Sequence, residues 1–454
     1  MLEPLFDRMH GRADDLALAT ADRTATYGQM LDRVRAWQQH LAGIPAGSVV
    51  SIEGDYGLET IAVFLAATAG GLVAVPLSPD SSAHHVAFRD VAGVEYRIRP
   101  AEGTTEGPAG VPAIAPTGVR ADHPLYTALR ASGHPGLILF SSGSTGTPKA
   151  ALHDLSRLLA KFEVAKRRYR TLVFLLLDHI GGVNTLFYTL YNGGAVVLSR
   201  DRSPAAVCQA IEAHRVELLP TSPTFLNLLL LSGQVAVRDL SSLRVVTYGT
   251  EPMPATTLAQ ATAALPHVRF QQTYGMTELG ILRSQSRESN SLWVRVGGED
   301  FEWKVVENRL WVRAKSAMLG YLNAPSPFDA EGFLDTGDLV EVDGDWLRIL
   351  GRKSDVINVG GSKAYPAEIE SVLLQMEGVE DVVVRGEAHP LTGQIVTATV
   401  RLAAPESPDQ FKARMRLFCR ERLAPFQVPS RIRFTQEAIH SSRFKRVRSG
   451  EIAG

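Results

Sequence analysis

The chain has 454 residues, 45% of them hydrophobic, and its 47 Lys and Arg nearly balance 48 Asp and Glu for a formal charge of -1. At roughly 100–200 residues per domain this length suggests two to four folded units, and the even charge leaves no basic footprint of the kind that binds nucleic acid. Two cysteines far apart, Cys208 and Cys419, exclude a disulfide framework and a cysteine-ligated metal, which fits a reducing compartment.

The first residues carry no basic stretch followed by an apolar run, so no secretory signal is expected. Met30, Val34, Trp37 and Leu41 recur at helical spacing. Residues 49–52 read as a short buried strand, and 59–69 as a second helix leading to 72–76. Residues 101–116, rich in Gly, Pro, Ala and Thr, read as a loop. Further strands are expected at 137–140, 196–198, 218–219 and 245–248. The apolar runs at 172–177 and 225–231 are far below the ~20 residues that span a bilayer and read as buried strand and helix. Strands alternating with helices predict a large α/β domain with a mainly parallel sheet. After 298 come short strands at 302–306 and 310–312, a Gly-rich turn at 331–338, and a strand at 347–350. A helix at 367–374, strands at 379–385 and 395–402 and a helix at 408–422 then predict a small α+β unit. The expected organisation is a large N-terminal domain, residues 1–352, and a small C-terminal domain, residues 353–454, in a soluble cytoplasmic protein.

Three segments carry chemistry. The strand at 137–140 runs straight into Ser141-Ser142-Gly143-Ser144-Thr145-Gly146-Thr147-Pro148-Lys149. Glycines bring backbone N–H groups close to phosphate oxygens, hydroxyls add donors, and Lys149 adds positive charge. It is not the G-x-x-x-x-G-K-[ST] loop, because Lys149 follows Thr-Pro and precedes Ala150. Next, Gln272-Thr273-Tyr274-Gly275-Met276-Thr277-Glu278 offers an aromatic face for a base, a glycine for close approach, and a Thr/Glu pair for a hard cation. Last, Asp335-Thr336-Gly337-Asp338 reads as a turn carrying a carboxylate. Asp338 can accept two hydrogen bonds from a sugar diol, and Arg352 can donate to the same sugar.

Together these segments resemble the adenylate-forming superfamily, which includes acyl- and aryl-CoA synthetases, the adenylation domains of nonribosomal peptide synthetases, and firefly luciferase. The resemblance covers nearly the whole chain, from Ala25-Thr26-Tyr27 and the proline-ended segment 69–79 onward. It implies a mobile C-terminal domain and the use of ATP, Mg²⁺, and CoA or a carrier-protein phosphopantetheine. It implies that Ser141, Ser142, Gly143, Ser144, Thr145, Gly146 and Lys149 cradle phosphate. Gly249, Thr250 and Glu251 would form the adenine edge together with Gln272, Thr273, Gly275 and Met276. Tyr274 would stack near adenine, Thr277 would contact the α-phosphate, Glu278 would hold Mg²⁺, and Asp338 and Arg352 would bind ribose. Ser354 occupies the usual pivot position between the domains, where relatives carry Asp or Lys. Gly361, in Asn358-Val359-Gly360-Gly361-Ser362-Lys363, would leave room for a pantetheine arm.

By the same resemblance His179 is the gate beside the acid pocket, with Gly182, Asn184 and Tyr248 as pocket candidates. Relatives that activate amino acids place an Asp after the gate. Here Ile180 stands there and cannot satisfy an ammonium, so a non-amino acid is expected. Lys445 takes the place of the lysine that bridges carboxylate and α-phosphate, although Phe444 stands where glycine is usual, and Arg443 or Arg446 could substitute. Residues 411–454 hold eleven Lys/Arg against three Glu, which either attracts CoA phosphates or an acidic carrier or is a solvated face.

The leading reading is an AMP-forming acid:CoA ligase acting on a small carboxylic acid. The alternatives are loading of a carrier-protein pantetheine, another nucleophile (an amide ligase or a nitrite-dependent diazotase), and a nucleotide-binding regulator without catalysis. Lys445→Ala is expected to cut adenylate formation by about 10²-fold or more, the scale of losing one transition-state donor, while keeping thioester formation from pre-made adenylate. Pyrophosphate release by the variant is the check, and unchanged release would refute the role.

Overall fold

The computed structural model describes residues 2–104, 113–141, 148–298, 300–437 and 439–440. The helix Tyr27–Leu41 begins at a reciprocal cap. Thr26 Oγ1 accepts from the Gln29 amide at 3.2 Å, and Gln29 Oε1 accepts from the Thr26 amide at 2.9 Å. Its buried stripe includes Met30, Val34, Trp37 and Leu41, as the spacing predicts. The stripe packs toward the helix Leu58–Ala69, which is buried along almost its whole length. Glu59 in that helix is 1% exposed. It is stable there because Arg33 donates to it twice, at 2.7 and 3.0 Å, and Trp37 Nε1 once, at 2.8 Å.

Two seven-stranded sheets make up most of the large domain. The first runs, in spatial order, Gly320–Tyr321, Lys149–Asp154, Gly136–Ser141, Val73–Leu77, Val49–Glu53, Tyr96–Ile98 and Ile114–Pro116. Its four middle strands are parallel and its flanks antiparallel. The second runs Arg269–Gln272, Val245–Tyr248, Leu218–Thr221, Arg170–Leu172, Ala195–Val197, Leu16–Ala19 and Thr24–Thr26, parallel except for the last pair. The helices Leu58–Ala69 and Ile180–Tyr191 share one core with strands of both sheets, and Phe64 meets Phe187 with ring centroids 5.8 Å apart. A six-stranded antiparallel sheet follows, in which Leu334–Asp343 lies beside Trp346–Arg352.

The smaller C-terminal domain has a five-stranded sheet and the helices Pro366–Leu373 and Pro408–Cys419. Its core gathers Ile357, Ile369, Val382 and Phe411 and draws on no residue before Ile357. It touches the large domain through Thr256, whose Oγ1 donates to the Ser371 carbonyl at 2.6 Å, and through Asn227 Nδ2, which donates to the Glu380 carbonyl at 3.2 Å. Among the described residues no helix is long and apolar enough to cross a membrane.

Four local expectations are corrected. Residues 335–338 are not a turn but lie inside the strand Leu334–Asp343, because pairing on both sides overrides the turn chemistry of Asp-Thr-Gly-Asp. Gly337, at φ +71, is where that strand kinks, and register shifts occur in both ladders. The loop expected at 101–116 ends in the edge strand Ile114–Pro116, which pairs with Tyr96–Ile98. The apolar run at 172–177 is strand only as far as Leu172 and then breaks up before the helix Ile180–Tyr191. The last helix ends at Cys419, not 422.

Candidate active site

The parallel strands Leu218–Thr221, Val245–Tyr248 and Arg269–Gln272 end side by side, and the carboxyl end of such a sheet is where open α/β folds bind ligands. The segments 249–251 and 273–278 leave from there. Close packing holds them together. A Cβ on Gly249 would stand 2.8 Å from the Thr273 carbonyl oxygen, and one on Gly275 would stand 2.6 Å from the Gly280 carbonyl oxygen. Thr273 donates its amide (2.8 Å) and hydroxyl (3.1 Å) to the Tyr248 carbonyl. Between the two glycine contacts Thr250 sits at φ +76, a strained conformation for a β-branched residue and typical of functional loops. Glu251 accepts from the Thr224 amide at 2.8 Å, so one of its oxygens anchors the helix Pro223–Leu231.

These loops form one wall of a cavity of about 550 Å³. Ser141 and Lys149 line it where the phosphate segment leaves and re-enters the first sheet. Thr277 and Glu278 line it beside them, with Asp338, Arg352 and His179 around the rest. Gly249, Thr250, Glu251, Gln272, Thr273, Tyr274, Gly275 and Met276 are also on its surface. Ser142, Gly143, Ser144, Thr145, Gly146 and Lys445 lie outside the described residues. Gly361 is described but is not part of this lining. It sits at φ +88 in the turn between Ile357–Val359 and Ser362–Ala364, with open space where a side chain would be.

Glu278 is 8% exposed, and its Oε1 accepts from the Tyr321 hydroxyl at 2.5 Å. Burial, with Glu278 adding to it, pushes the Tyr321 hydroxyl well above its ordinary range, which keeps it a donor. The face of the same ring carries Lys149 Nζ, 5.3 Å from the centroid. Asn323 then grips the loop exit from both sides. Its Oδ1 accepts from the Ala150 amide and its Nδ2 donates to the Pro148 carbonyl, each at 2.9 Å. Among the described residues no group of three or more His, Cys, Asp or Glu could hold a metal by itself. One shielded carboxylate beside a hydroxyl and a phosphate segment nevertheless suits Mg²⁺, which keeps waters and takes phosphate oxygens.

On the opposite wall, Asp338 stands across the ladder from Arg352. Its Oδ2 accepts from the Tyr274 hydroxyl at 2.6 Å, and its Oδ1 is 3.6 Å from Arg352 Nε. Burial pushes its carboxyl above the ordinary aspartate range, while Arg352 and Tyr274 pull it back. His179 caps the helix Ile180–Tyr191. Its Nδ1 accepts from the Gly181 amide at 3.1 Å, which places the proton of the neutral ring on Nε2. Beneath the site His153 is fully buried, and burial lowers it to about 4, so it brings no charge to the cavity at neutral pH.

Of the pocket candidates, Asn184 lines this cavity. Tyr248 does not, being 1% exposed and packed in the core of the second sheet. Gly182 does not either, because it packs against the Leu176 carbonyl, where a Cβ would stand 1.8 Å away. Sequence reasoning missed Tyr321 and Asn323. Their only local sign is the run Leu319-Gly320-Tyr321-Leu322-Asn323, an apolar stretch around one glycine.

Comparison with known proteins adds family membership to this geometry. The AMP-binding enzyme family matches residues 5–322, and the AMP-binding enzyme C-terminal domain matches residues 368–445. A feruloyl-CoA synthase of Amycolatopsis sp is 30% identical over 343 residues, which cover 70% of this chain and 69% of that protein. A 2-succinylbenzoate–CoA ligase of Bacillus velezensis is 28% identical over 347 residues, with 70% and 69% covered. In fold, the chain resembles the anthranilate CoA ligase AuaEII in complex with anthranoyl-AMP, with a TM-score of 0.79 at 22% identity, covering 97% of this chain and 95% of that one. It also resembles the amide bond synthetase McbA from Marinactinospora thermotolerans, with a TM-score of 0.73 at 23% identity and coverage of 97% and 96%. With both family segments matched in chain order, the chain belongs to the AMP-binding enzyme family, within the adenylate-forming superfamily.

Proposed function

We propose that this protein joins a small carboxylic acid that is not an amino acid to the thiol of CoA, with ATP cleaved to AMP and pyrophosphate. The observation that carries the reading is that Lys149, Thr277, Glu278, Asp338 and Arg352 line one cavity. In the first step a carboxylate oxygen attacks the α-phosphorus and pyrophosphate leaves, giving an acyl-adenylate. Asp338 accepts from the ribose diol and Arg352 donates to it, which fixes the nucleotide. Lys149 and the phosphate segment hold the leaving pyrophosphate, Thr277 orients the α-phosphate, and Lys445 supplies the cation for the charge that develops at phosphorus. Glu278, held by Tyr321, would take Mg²⁺, which when bound neutralises phosphate charge. In the second step the thiolate attacks the acyl carbon and AMP leaves. Rotation of residues 353–454 about Ser354 would bring Gly361 to the site for the pantetheine arm. The place of the reaction is the cytoplasm, where ATP and CoA are supplied.

Pyrophosphate release across aryl, fatty and short-chain acids, with and without CoA, tests this. Acid-dependent pyrophosphate together with a CoA thioester by mass is the expected result. Pyrophosphate whose acyl product forms only on a carrier protein or an amine would move the acceptor, and no pyrophosphate with any acid would reject acid activation. A second test concerns the ribose carboxylate. Charged Asp338 binds the diol and its carboxyl is raised, so AMP affinity should fall on acidification through a midpoint above the usual aspartate value of about 3.9. Tyr274→Phe removes a donor that favours the charged form, so the midpoint should move further up. AMP titration calorimetry across the acid range reads both, and an unchanged midpoint would contradict the pairing.

A further inference from the structure

A second cavity, of about 810 Å³, adjoins the nucleotide cavity, and Asn184, Thr185, Pro220, Thr247, Thr273 and Ile281 line both. Its size suits a ring or a chain of several carbons. Its charge is one-sided. Lys161, Lys166, Arg269, Arg283 and Arg295 line it, against Asp345 as the one carboxylate among the described lining residues. None of the five cations forms an ion pair among the described residues. Lys166 and the three arginines are exposed and stand at the cavity's solvent side. Lys161 is different.

Lys161 is half-buried. Its Nζ donates to Asn184 Oδ1 at 2.5 Å and to the Ile281 carbonyl at 2.7 Å, and lies 5.1 Å from the centre of the Phe162 ring. Both acceptors belong to residues that separate the two cavities. Two neutral oxygens fix the ammonium without neutralising it, and a protonated ammonium has three N–H groups, so one remains for a ligand. Burial, with Lys166 and Arg283 adding like charge, lowers Lys161 to about 7, as happens to a cation set into a wall without a counter-ion. An anion seated here would supply what the wall lacks. A simple solvated lysine explains neither the two fixed acceptors nor the position between the cavities.

We propose that the acid this enzyme activates carries a second carboxylate, and that Lys161 binds it while the first carboxylate faces the α-phosphate. The inference rests on the acid-activation reading above. The exposed cations at the cavity's solvent side would raise the local concentration of a dianion, and Lys161 would discriminate it from a monoacid of the same shape. An apolar monoacid would leave the ammonium facing hydrocarbon, which is costly.

Matched probes test it: benzoate against isophthalate, and hexanoate against adipate, each followed by pyrophosphate release. The wild type should favour the diacid of at least one pair by about 10- to 100-fold in kcat/KM, the range of one charge-assisted hydrogen bond. Lys161→Met should erase that preference through the diacid's KM and leave the KM for ATP unchanged, whereas Lys161→Arg should keep part of it. If Lys161→Met does not fold, the wild-type ratios and Lys161→Arg still decide. Monoacids turned over as well as diacids, or a preference that survives Lys161→Met, would overturn the assignment while leaving acid activation in place. Absence of pyrophosphate with every probe and every other acid would reject acid activation itself.

Discussion

The candidate site depends on a two-residue strand pairing. Gly320 and Tyr321 pair antiparallel with Leu152 and Ala151, the strand that leaves the phosphate segment. The flanking amides extend the contact, since Leu319 donates to the Leu152 carbonyl at 2.7 Å and Leu322 to the Ala150 carbonyl at 2.9 Å. This short ladder places Tyr321 between Glu278 and Lys149, and Asn323 across the loop exit. A buried carboxylate without such a donor would be unstable, and a lysine without the ring beneath it would be freer to wander. One short pairing thus fixes the spacing between a carboxylate in the 273–278 segment and a cation at the start of a strand of the first sheet.

The other wall follows a similar rule. Tyr274 lies in the same segment as Glu278, but its hydroxyl reaches Asp338 in the third sheet. Asp338 in turn faces Arg352, the last residue before the turn Lys353–Asp355 that leads into the C-terminal domain. The segment 273–278 therefore bridges the phosphate side and the Asp338 side, and the second of these sits directly against the entry to the mobile unit that we propose. On this account a nucleotide that engages Asp338 and Arg352 would be felt at the pivot without any long-range relay.

Much of this is legible in the sequence because it is written locally. The capped helix at Tyr27, the strands at Val49–Glu53 and Val245–Tyr248, and the glycine- and hydroxyl-rich segments show themselves through periodicity and residue chemistry alone. What could not be read is long-range. A two-residue strand has no period, so Tyr321 and Asn323 gave no sign of their contacts. Asp335-Thr336-Gly337-Asp338 has the composition of a turn, and only the neighbouring strands make it a kinked strand. Lys161 carries no signal of its own in the sequence, lying five residues before the charge run Lys166-Arg167-Arg168; only the fold sets it between Asn184 and Ile281. Tyr248, a pocket candidate by resemblance, turns into the core because strand alternation puts it on the other face from Thr247.

The central claim is that the carboxylate attacks the α-phosphorus and AMP then leaves from the acyl carbon. The direct measurement is to supply an acid that releases pyrophosphate, labelled with ¹⁸O in both carboxylate oxygens, together with ATP and CoA, and to weigh the products. The account predicts one ¹⁸O in AMP, the other in the thioester and none in pyrophosphate. Unlabelled AMP, or label appearing in orthophosphate with ADP formed, would contradict it.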